Sequence, residues 1–292
     1  MAAQPREVYL NGRFVDVADA TVSFEDRGLQ FADSIYEVVR SYGGGFFEMQ
    51  RHLERLLRGS TFLELGSDAL EIGAVEQAAD SLLRRSGLDD ASLVLQVTRG
   101  TAPRSHIPAQ GIKPTVIAYV RPAIWPPPEL LETGIAVITV PDTRWERVDI
   151  KSSMLLPNVL AKIHAQQQDA SDAIFVRDGV ALECTASNLF AVIQGTVRTA
   201  PANARILPGV TRKVVMELCA SEGIPLTDDA IMAAELASAQ ELFLTGTTDE
   251  ITPITRLDGM PVSDGRPGVL TRRLMAAFRR RTSSLSPASH RA

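Results

Sequence analysis

The most informative stretch of this 292-residue chain is Val148-Asp149-Ile150-Lys151-Ser152-Ser153-Met154-Leu155-Leu156-Pro157-Asn158. Its lysine is one of four in the sequence, the others being Lys113, Lys162 and Lys213. Those three lie in a proline-bounded loop, a polar helical run and a helix start, whereas Lys151 follows a strand-like Val-Asp-Ile in a mostly apolar stretch. A lysine kept out of water loses its proton more readily and becomes a nucleophile or Schiff-base former. Lys151 is therefore the candidate for covalent catalysis, the alternative being a lysine that extends from a strand end into solvent.

The composition is that of a globular protein with one or two large cores. Hydrophobic residues make up 45% of the chain, and the net charge of −5 gives no reason to expect a nucleic acid or a membrane as partner. Neither the two cysteines nor the four histidines have the spacing of metal ligands, so we expect no metal. We find no signal peptide and no apolar run of spanning length, and we expect a soluble, cytoplasmic protein.

The periodicity predicts alternating strands and helices. In the first half it predicts a hairpin around Asn11-Gly12, a strand over 34–42 with a possible helical start at Phe31, and a polar loop over 100–111 between two strands. Helices are predicted over 49–65, 69–85, 157–168, 209–222 and 268–281, and further strands over 92–99, 114–120, 135–140, 173–176, 180–183, 188–193, 196–199, 242–244 and 251–254.

A proline-rich segment marks the domain boundary. Pro122-Ala123-Ile124-Trp125-Pro126-Pro127-Pro128 is stiff and excludes regular structure. We expect an N-terminal α/β domain over 1–121, a linker over 122–134, a C-terminal domain over 135–281 and a disordered tail over 282–292.

Two stretches have the chemistry of a phosphate cradle. Leu207-Pro208-Gly209-Val210-Thr211 opens a helix, and Gly246-Thr247-Thr248 follows a strand. Arg55 is a candidate phosphate clamp, and Glu183 is a charge at the end of an apolar strand. Each has an ordinary alternative: a helix cap, a turn, a solvated helix face and a strand terminus. Together with Lys151 they match what pyridoxal phosphate needs, namely an amine, an anion at the ring nitrogen and a phosphate anchor.

The order of these motifs resembles that of the fold-type IV pyridoxal-phosphate enzymes, which include D-amino-acid and branched-chain aminotransferases and aminodeoxychorismate lyase. The resemblance covers about residues 8–278. It rests on six motifs: Tyr36-Glu37-Val38-Val39-Arg40, His52-Leu53-Glu54-Arg55-Leu56, Asp149-Ile150-Lys151-Ser152, Glu183-Cys184-Thr185-Ala186-Ser187-Asn188, Ile206-Leu207-Pro208-Gly209-Val210-Thr211-Arg212 and Thr247-Thr248-Asp249-Glu250-Ile251-Thr252-Pro253.

The resemblance implies an α+β or α/β protein of two domains with pyridoxal 5'-phosphate bound between them, and a homodimer. Lys151 would form the Schiff base with the cofactor, and Glu183 would pair with the ring nitrogen. The phosphate would be held by Arg55, Val210, Thr211, Gly246 and Thr247. Leu207 would pack on the ring, and the substrate would lie near Tyr36 and Thr248.

Within the family, Arg99-Gly100-Thr101-Ala102-Pro103-Arg104-Ser105-His106 is most similar to the D-amino-acid aminotransferases. There the loop's arginine and histidine, which Arg104 and His106 match, grip the substrate carboxylate from the partner subunit. This chain departs from a serine-rich pattern at Ala186, which cannot donate a side-chain hydrogen bond, and at Gly246.

The resemblance thus implies a ping-pong transaminase that interconverts D-amino acids and 2-oxo acids. The alternatives within the fold are an L-selective branched-chain aminotransferase, an (R)-amine transaminase and a lyase of the aminodeoxychorismate type. A protein that binds the cofactor without catalysis is the alternative from another class.

Overall fold

The computed structural model describes residues 5–65 and 71–285. Its contacts divide the chain into two compact units. The first comprises Met1–Ile124, Ile150–Met154 and Thr282–Ala292, and the second comprises Trp125–Asp149 and Leu155–Arg281. The segment that carries Lys151 therefore belongs to the first unit, although the second flanks it in sequence. Compactness is not independent folding, so the predicted domain limits stay a prediction.

The first unit is built on a six-stranded antiparallel sheet of order β2-β1-β6-β5-β3-β4. The strands are β1 (Glu7–Leu10), β2 (Arg13–Asp16), β3 (Ser34–Tyr42), β4 (Gly45–Phe46), β5 (Ala91–Thr98) and β6 (Thr115–Pro122). Asn11 and Gly12 join β1 to β2 with φ of 49° and 89°, as the predicted turn requires. The possible helical start at Phe31 is wrong, because that residue ends a separate five-residue helix before β3.

Three helices accompany this sheet: α1 (Arg27–Phe31), α2 (Met49–Phe62) and α3 (Ile72–Ser86). Helix α2 packs on β3 and α3 packs on β6 and β1. Helix α2 ends three residues before its predicted end at Leu65, and the predicted start of α3 at Ala69 lies outside the described residues. The alternative of a solvated Arg55 is wrong, because Arg55 is buried on the face of α2 that meets β3.

The second unit is built on a ten-stranded mixed sheet of order β12-β11-β10-β14-β15-β7-β8-β9-β13, with β16 beside β15. Asn188 of β10 also pairs with Glu183 of β9, which closes six of the strands into a ring. The strands are β7 (Ile135–Pro141), β8 (Asp172–Arg177), β9 (Val180–Cys184), β10 (Asn188–Ile193), β11 (Thr196–Thr199), β12 (Leu226–Thr227), β13 (Ile231–Met232), β14 (Glu241–Gly246), β15 (Glu250–Leu257) and β16 (Met260–Pro261).

The strands of this ring carry many buried apolar side chains, among them Phe190 and Phe243, whose ring centroids lie 4.9 Å apart in a stacked pair. Four α-helices and the 3-10 helix Ala233–Ser238 accompany the ring: α4 (Pro128–Thr133), α5 (Leu156–Gln167), α6 (Val210–Ser221) and α7 (Val269–Ser283).

Two predictions for these helices need correction. The proline-rich segment does not exclude regular structure, because Pro128 occupies the first turn of α4, where a missing N–H costs nothing. Helix α7 continues past its predicted end at Arg281 to Ser283, where the tail was expected to be disordered. Residues 286–292 of that tail lie outside the described residues. Among the helices of the described ranges, none has the length and apolar character needed to cross a membrane.

Candidate active site

Lys151 lies against the first residues of β3. Its carbonyl accepts a hydrogen bond from the Tyr36 amide at 3.0 Å, and Ser152 forms a bridge with Ile35. These backbone contacts hold the half-buried lysine so that its Nζ lies 4.3 Å from the centroid of the Tyr36 ring. The strand-like Val-Asp-Ile before it is a turn, which corrects the sequence prediction. The first unit thus brings together two of the predicted residues, an amine and a phenol ring.

The other three lysines, all within the described residues, have different surroundings. Lys113 and Lys213 are exposed. Lys162 pairs with Asp172 at 3.0 Å. None of these three has the sheltered aromatic contact of Lys151, which supports the choice made from the sequence.

Arg55 belongs to a buried ionic cluster with Glu37, the residue that follows Tyr36 on β3. Its Nε and Nη2 donate to the two oxygens of Glu37 at 2.7 and 2.8 Å. Burial raises the pKa of Glu37, but Arg55 and His52 outweigh it and lower that pKa to about 2. Burial lowers the pKa of His52, so the neutral imidazole donates from Nδ1 to Glu37 at 2.7 Å. Arg55 is therefore held in one orientation by an ionised carboxylate.

Glu183 is the buried carboxylate of the second unit, with 4% exposure. It accepts hydrogen bonds from the Leu207 amide at 3.1 Å, from Asn188 Nδ2 at 2.9 Å and from Arg144 Nη1. These donors come from three separate segments and favour the ionised form, because each is an N–H aimed at an oxygen. The structure thus brings together Glu183 and Leu207, two of the predicted site residues.

Arg144 was not predicted as a site residue. Its guanidinium is stacked on Phe175 at 4.2 Å, and it donates from Nε to Asp142 at 2.8 Å. Burial lowers the pKa of Arg144, but Asp142 and Glu183 outweigh it, and the net effect raises that pKa. Asp142 has its pKa lowered, because Arg144 and Arg177 outweigh its own burial. The sequence signal was an arginine two residues after an aspartate at the end of a buried strand.

The start of α6 adjoins Glu183. Val210 and Thr211 are buried in its first turn, where helix N–H groups have no acceptor inside the helix. Gly209 must lack a side chain, because an added Cβ would lie 2.0 Å from Asn188 Oδ1. Asn188 in turn donates to Glu183 and to the Leu207 carbonyl, so it fixes the helix start to the carboxylate.

Gly246, Thr247 and Thr248 end β14 and begin the turn to β15. A Cβ on Gly246 would lie 2.8 Å from Asp249 Oδ2 and 3.4 Å from Ser187 Cβ, so a serine at this position would have to displace Asp249. The buried hydroxyls of Ser187 and Thr245 have no hydrogen-bond partner within the described residues. Exposed Thr248 lies with its hydroxyl 3.5 Å from Asp249 Oδ2.

This donor set fits pyridoxal phosphate. Buried hydroxyls without partners and first-turn amides both suit a bound anionic group. A carboxylate held by three donors suits a protonated ring nitrogen, and a sheltered lysine suits a Schiff base. Of the described residues, no three His, Cys, Asp or Glu side chains are grouped as metal ligands.

Arg104 and His106 lie together on the 100–111 loop of the first unit, and both are exposed. The guanidinium carbon of Arg104 lies 4.6 Å from the centroid of the Phe31 ring. The centroid of the His106 ring lies 5.7 Å from the same Phe31 centroid. The two predicted carboxylate-binding residues therefore share one aromatic contact that the sequence reasoning missed.

Comparison with known proteins agrees with this chemistry. The sequence model of the family described as Amino-transferase class IV matches residues 34–257. The chain is 39% identical to a D-alanine aminotransferase from Bacillus licheniformis over 273 residues, which are 93% of this chain and 95% of that protein. It is also 39% identical to a D-alanine aminotransferase from Staphylococcus epidermidis over 282 residues, or 96% of this chain and 99% of that one.

Solved structures share the fold. A branched-chain amino acid aminotransferase from Escherichia coli superposes with a TM-score of 0.88 at 25% identity, covering 98% of this chain and 97% of its own. A branched-chain aminotransferase from Thermoproteus uzoniensis, solved with norvaline, gives a TM-score of 0.86 at 26% identity with the same coverage. The predicted fold type and family are confirmed: the chain belongs to the class IV aminotransferases.

Proposed function

We propose that this enzyme transfers amino groups between D-amino acids and 2-oxo acids with pyridoxal 5'-phosphate as cofactor. The observation that carries the D-amino-acid assignment is the placement of Arg104 and His106 side by side on Phe31, on the loop that resembles those of D-amino-acid aminotransferases. The D-alanine aminotransferases that match nearly the full length of the chain support it.

The residues that would hold the cofactor come from several of the sequence motifs. Arg55, Val210, Thr211, Gly246 and Thr247 would bind its phosphate, and Leu207 would pack on its ring. Glu183 would keep the ring nitrogen protonated, and Lys151 would be its covalent partner. When bound, pyridoxal phosphate supplies an electron sink that stabilises the carbanion formed at the substrate α-carbon.

Lys151 would also act as the base of the reaction. Its Nζ would accept the α-proton of the substrate and return a proton later in the half-reaction. The Tyr36 ring next to Nζ limits where the side chain points. The donors around Glu183 would favour its ionised form, which would help keep the ring nitrogen of a bound cofactor protonated.

Substrate selection would fall to Tyr36, Thr248, Arg104 and His106. A guanidinium and an imidazole together bind one carboxylate and so fix which hydrogen of the α-carbon faces the base. In the described protomer both loop side chains are exposed, as a loop that serves a partner subunit would require.

We propose a homodimer that buries helix α5. Leu156, Val159, Leu160 and Ile163 are spaced as one helical stripe, and they are 68%, 50%, 57% and 45% exposed. The same helix uses only small alanines, Ala161 and Ala165, against the sheet. Large apolar side chains outside and small ones inside indicate that the outer stripe is covered by another chain. A cytoplasmic location suits the two buried free thiols, Cys184 and Cys219.

A branched-chain L-amino-acid aminotransferase is the second candidate, because the solved structures that share the fold include such enzymes at 25–26% identity. Multiple turnovers with D-alanine and 2-oxoglutarate, followed by chiral analysis of the glutamate formed, separate the two. D-glutamate is the result we expect. L-glutamate, or turnover with L-leucine alone, would move the enzyme to the second candidate.

A further inference from the structure

The 100–111 loop is held by a buried arginine that no catalytic role requires. Arg27 opens α1 and is 4% exposed. Its Nε donates to Asp33 Oδ2 at 2.9 Å, while Nη1 and Nη2 donate to the carbonyls of Ser105 and His106 at 2.5 and 3.3 Å. One rigid guanidinium fork therefore joins α1 to the two loop residues that follow Arg104.

Asp33, the carboxylate that orients Arg27, is also held by a second arginine. Asp33 Oδ2 also accepts from Arg99 Nε at 2.7 Å. Arg99 donates its other nitrogens to the carbonyls of Leu63 and Glu64. A carboxylate between two arginines, each anchored elsewhere, has little freedom to move. Asp33 therefore holds the Nε edge of the Arg27 fork in place.

Phe31 extends this support to the side chains. The guanidinium carbons of Arg27 and Arg104 lie over its ring at 4.7 and 4.6 Å, and the His106 ring lies at 5.7 Å. The early part of the loop has its own backbone anchors, from Arg27 N to Gly100 O at 3.0 Å and from Ala102 N to Glu25 O at 3.3 Å. The later part, which carries Arg104 and His106, rests on the Arg27 fork and the Phe31 ring.

We propose that Arg27 is a positioning residue for substrate recognition, which with Phe31 sets the spacing and direction of Arg104 and His106 before a substrate carboxylate arrives. This inference rests on the proposed function of those two residues. Arg104 is long and exposed, so without support its ordering would cost affinity at each binding event. A fixed loop removes that cost, because the backbone and the aromatic contact are already in place.

The chemistry of the fork makes the proposal testable. Lysine keeps the positive charge of Arg27 but is a point donor that cannot bind two carbonyls and a carboxylate in one plane. If Arg27 contributed only charge, Arg27→Lys would behave like the unchanged enzyme. We expect instead that Arg27→Lys raises the KM for D-alanine about tenfold and changes kcat less than about twofold. Calorimetric titration of the holoenzyme with propionate, a carboxylate that cannot react, should weaken by a similar factor.

A double-mutant cycle separates positioning from a general loss of structure. In an Arg104→Ala/His106→Ala background, adding Arg27→Lys should leave the KM and the propionate affinity unchanged, because no aligned groups remain to be disturbed. An equal loss in both backgrounds, or an unchanged KM in Arg27→Lys alone, would overturn the proposal. If the Arg104→Ala/His106→Ala enzyme itself kept its normal KM, the proposed carboxylate function would fall, and that failure is distinguishable from failure of Arg27.

Two further variants complete the test: one does not depend on the folding of Arg27→Lys, and the other is a control outside the loop. Phe31→Leu stays apolar but removes the ring under Arg104, and it should show the same rise in KM even if Arg27→Lys does not fold. Arg85→Lys is the matched control, because Arg85 also pairs with a carboxylate, Glu7, and lies over a phenylalanine ring, Phe14, at 5.0 Å. It does not belong to the loop support, so its KM should match that of the unchanged enzyme. A rise in KM in Arg85→Lys as large as that in Arg27→Lys would contradict the assignment.

Discussion

Arg144 donates a hydrogen bond from Nη1 to Oε1 of Glu183, and both side chains are buried. The pair places a permanent positive charge behind the carboxylate that is proposed to face the cofactor ring. Asp142 and the Phe175 ring hold the guanidinium on its other sides. The charge of Glu183 is thus balanced within the second unit.

Arg144→Gln should therefore damage both stability and catalysis. Removing one partner of a buried ion pair leaves the other charge uncompensated, which costs about 3–5 kcal/mol. We expect a drop of this size in the unfolding free energy, measured by urea denaturation, and weaker retention of pyridoxal phosphate during dialysis. Arg147→Gln is the control, because Arg147 pairs with Asp149 near the surface. Equal effects of the two changes would show that Arg144 has no special role.

Lys151→Ala should abolish turnover, because no other group is assigned to the α-proton. We expect the rate to fall by about a thousandfold or more, as for loss of a catalytic base and nucleophile. Lys113→Ala, which removes an exposed lysine, should keep its rate. Turnover of Lys151→Ala at a normal rate would refute the assignment of the nucleophile.

Glu37→Gln should alter the acid sensitivity of the fold. The pKa of Glu37 is lowered in the folded state from about 4.5 to about 2, so its stabilising contribution is complete above the higher value and is lost as the pH falls toward the lower one. Denaturation at a series of pH values should show a shallower loss of stability on acidification in Glu37→Gln. At neutral pH the variant should be less stable by about 3 kcal/mol, because Arg55 loses its buried partner.

The control for this series is Glu7→Gln, since the pair of Glu7 with Arg85 is at the surface. Such pairs contribute little to stability. If Glu37→Gln had the same acid profile as the unchanged protein, the ionised Glu37 would not be a stabilising element.

Gly209→Ala should disturb the start of α6. Its Cβ would collide with Asn188 Oδ1, and Asn188 also holds Glu183 and Leu207. We expect a loss of about 1–3 kcal/mol in stability and a weaker affinity for pyridoxal phosphate, measured by fluorescence titration. Gly73→Ala is the opposite case, because its Cβ meets nothing within 4 Å in helix α3. It should stabilise the protein by about 0.4–1 kcal/mol. A stable Gly209→Ala enzyme with normal affinity would contradict the described contact.

Leu160→Glu should break the proposed dimer. A charge in the middle of the exposed stripe of α5 would have to be buried in the interface without a partner. Light scattering should show a shift from dimer to monomer, whereas Gln166→Glu, which adds the same charge to an exposed position of the helix, should not change the mass. A dimeric Leu160→Glu protein would place the interface elsewhere.

Local patterns made much of the fold predictable. The alternation over β3 and the turn at Asn11-Gly12 predicted the structures observed, because both depend on neighbouring residues. The lysine-centred stretch and its companion motifs led to the family that the comparisons confirm. Helix ends were less accurate, as at α2 and α7, since caps and packing decide the last turns.

The contacts that complete the site were less accessible. Arg144 reaches Glu183 across 39 residues, and Arg27 reaches Ser105 across 78. Such pairs depend on the tertiary fold, and a charged residue alone does not indicate its partner. The sequence left a solvated helix face open as the alternative for Arg55, and its burial follows from Glu37 on the facing strand.

The most direct test of the central claim is the visible spectrum of the purified holoenzyme after addition of D-alanine or L-leucine, each without a 2-oxo acid. The D-amino-acid assignment predicts that D-alanine removes the absorbance of the lysine-bound cofactor and that L-leucine leaves it unchanged. A change with L-leucine alone would contradict the assignment and return Arg104 and His106 to an ordinary surface loop.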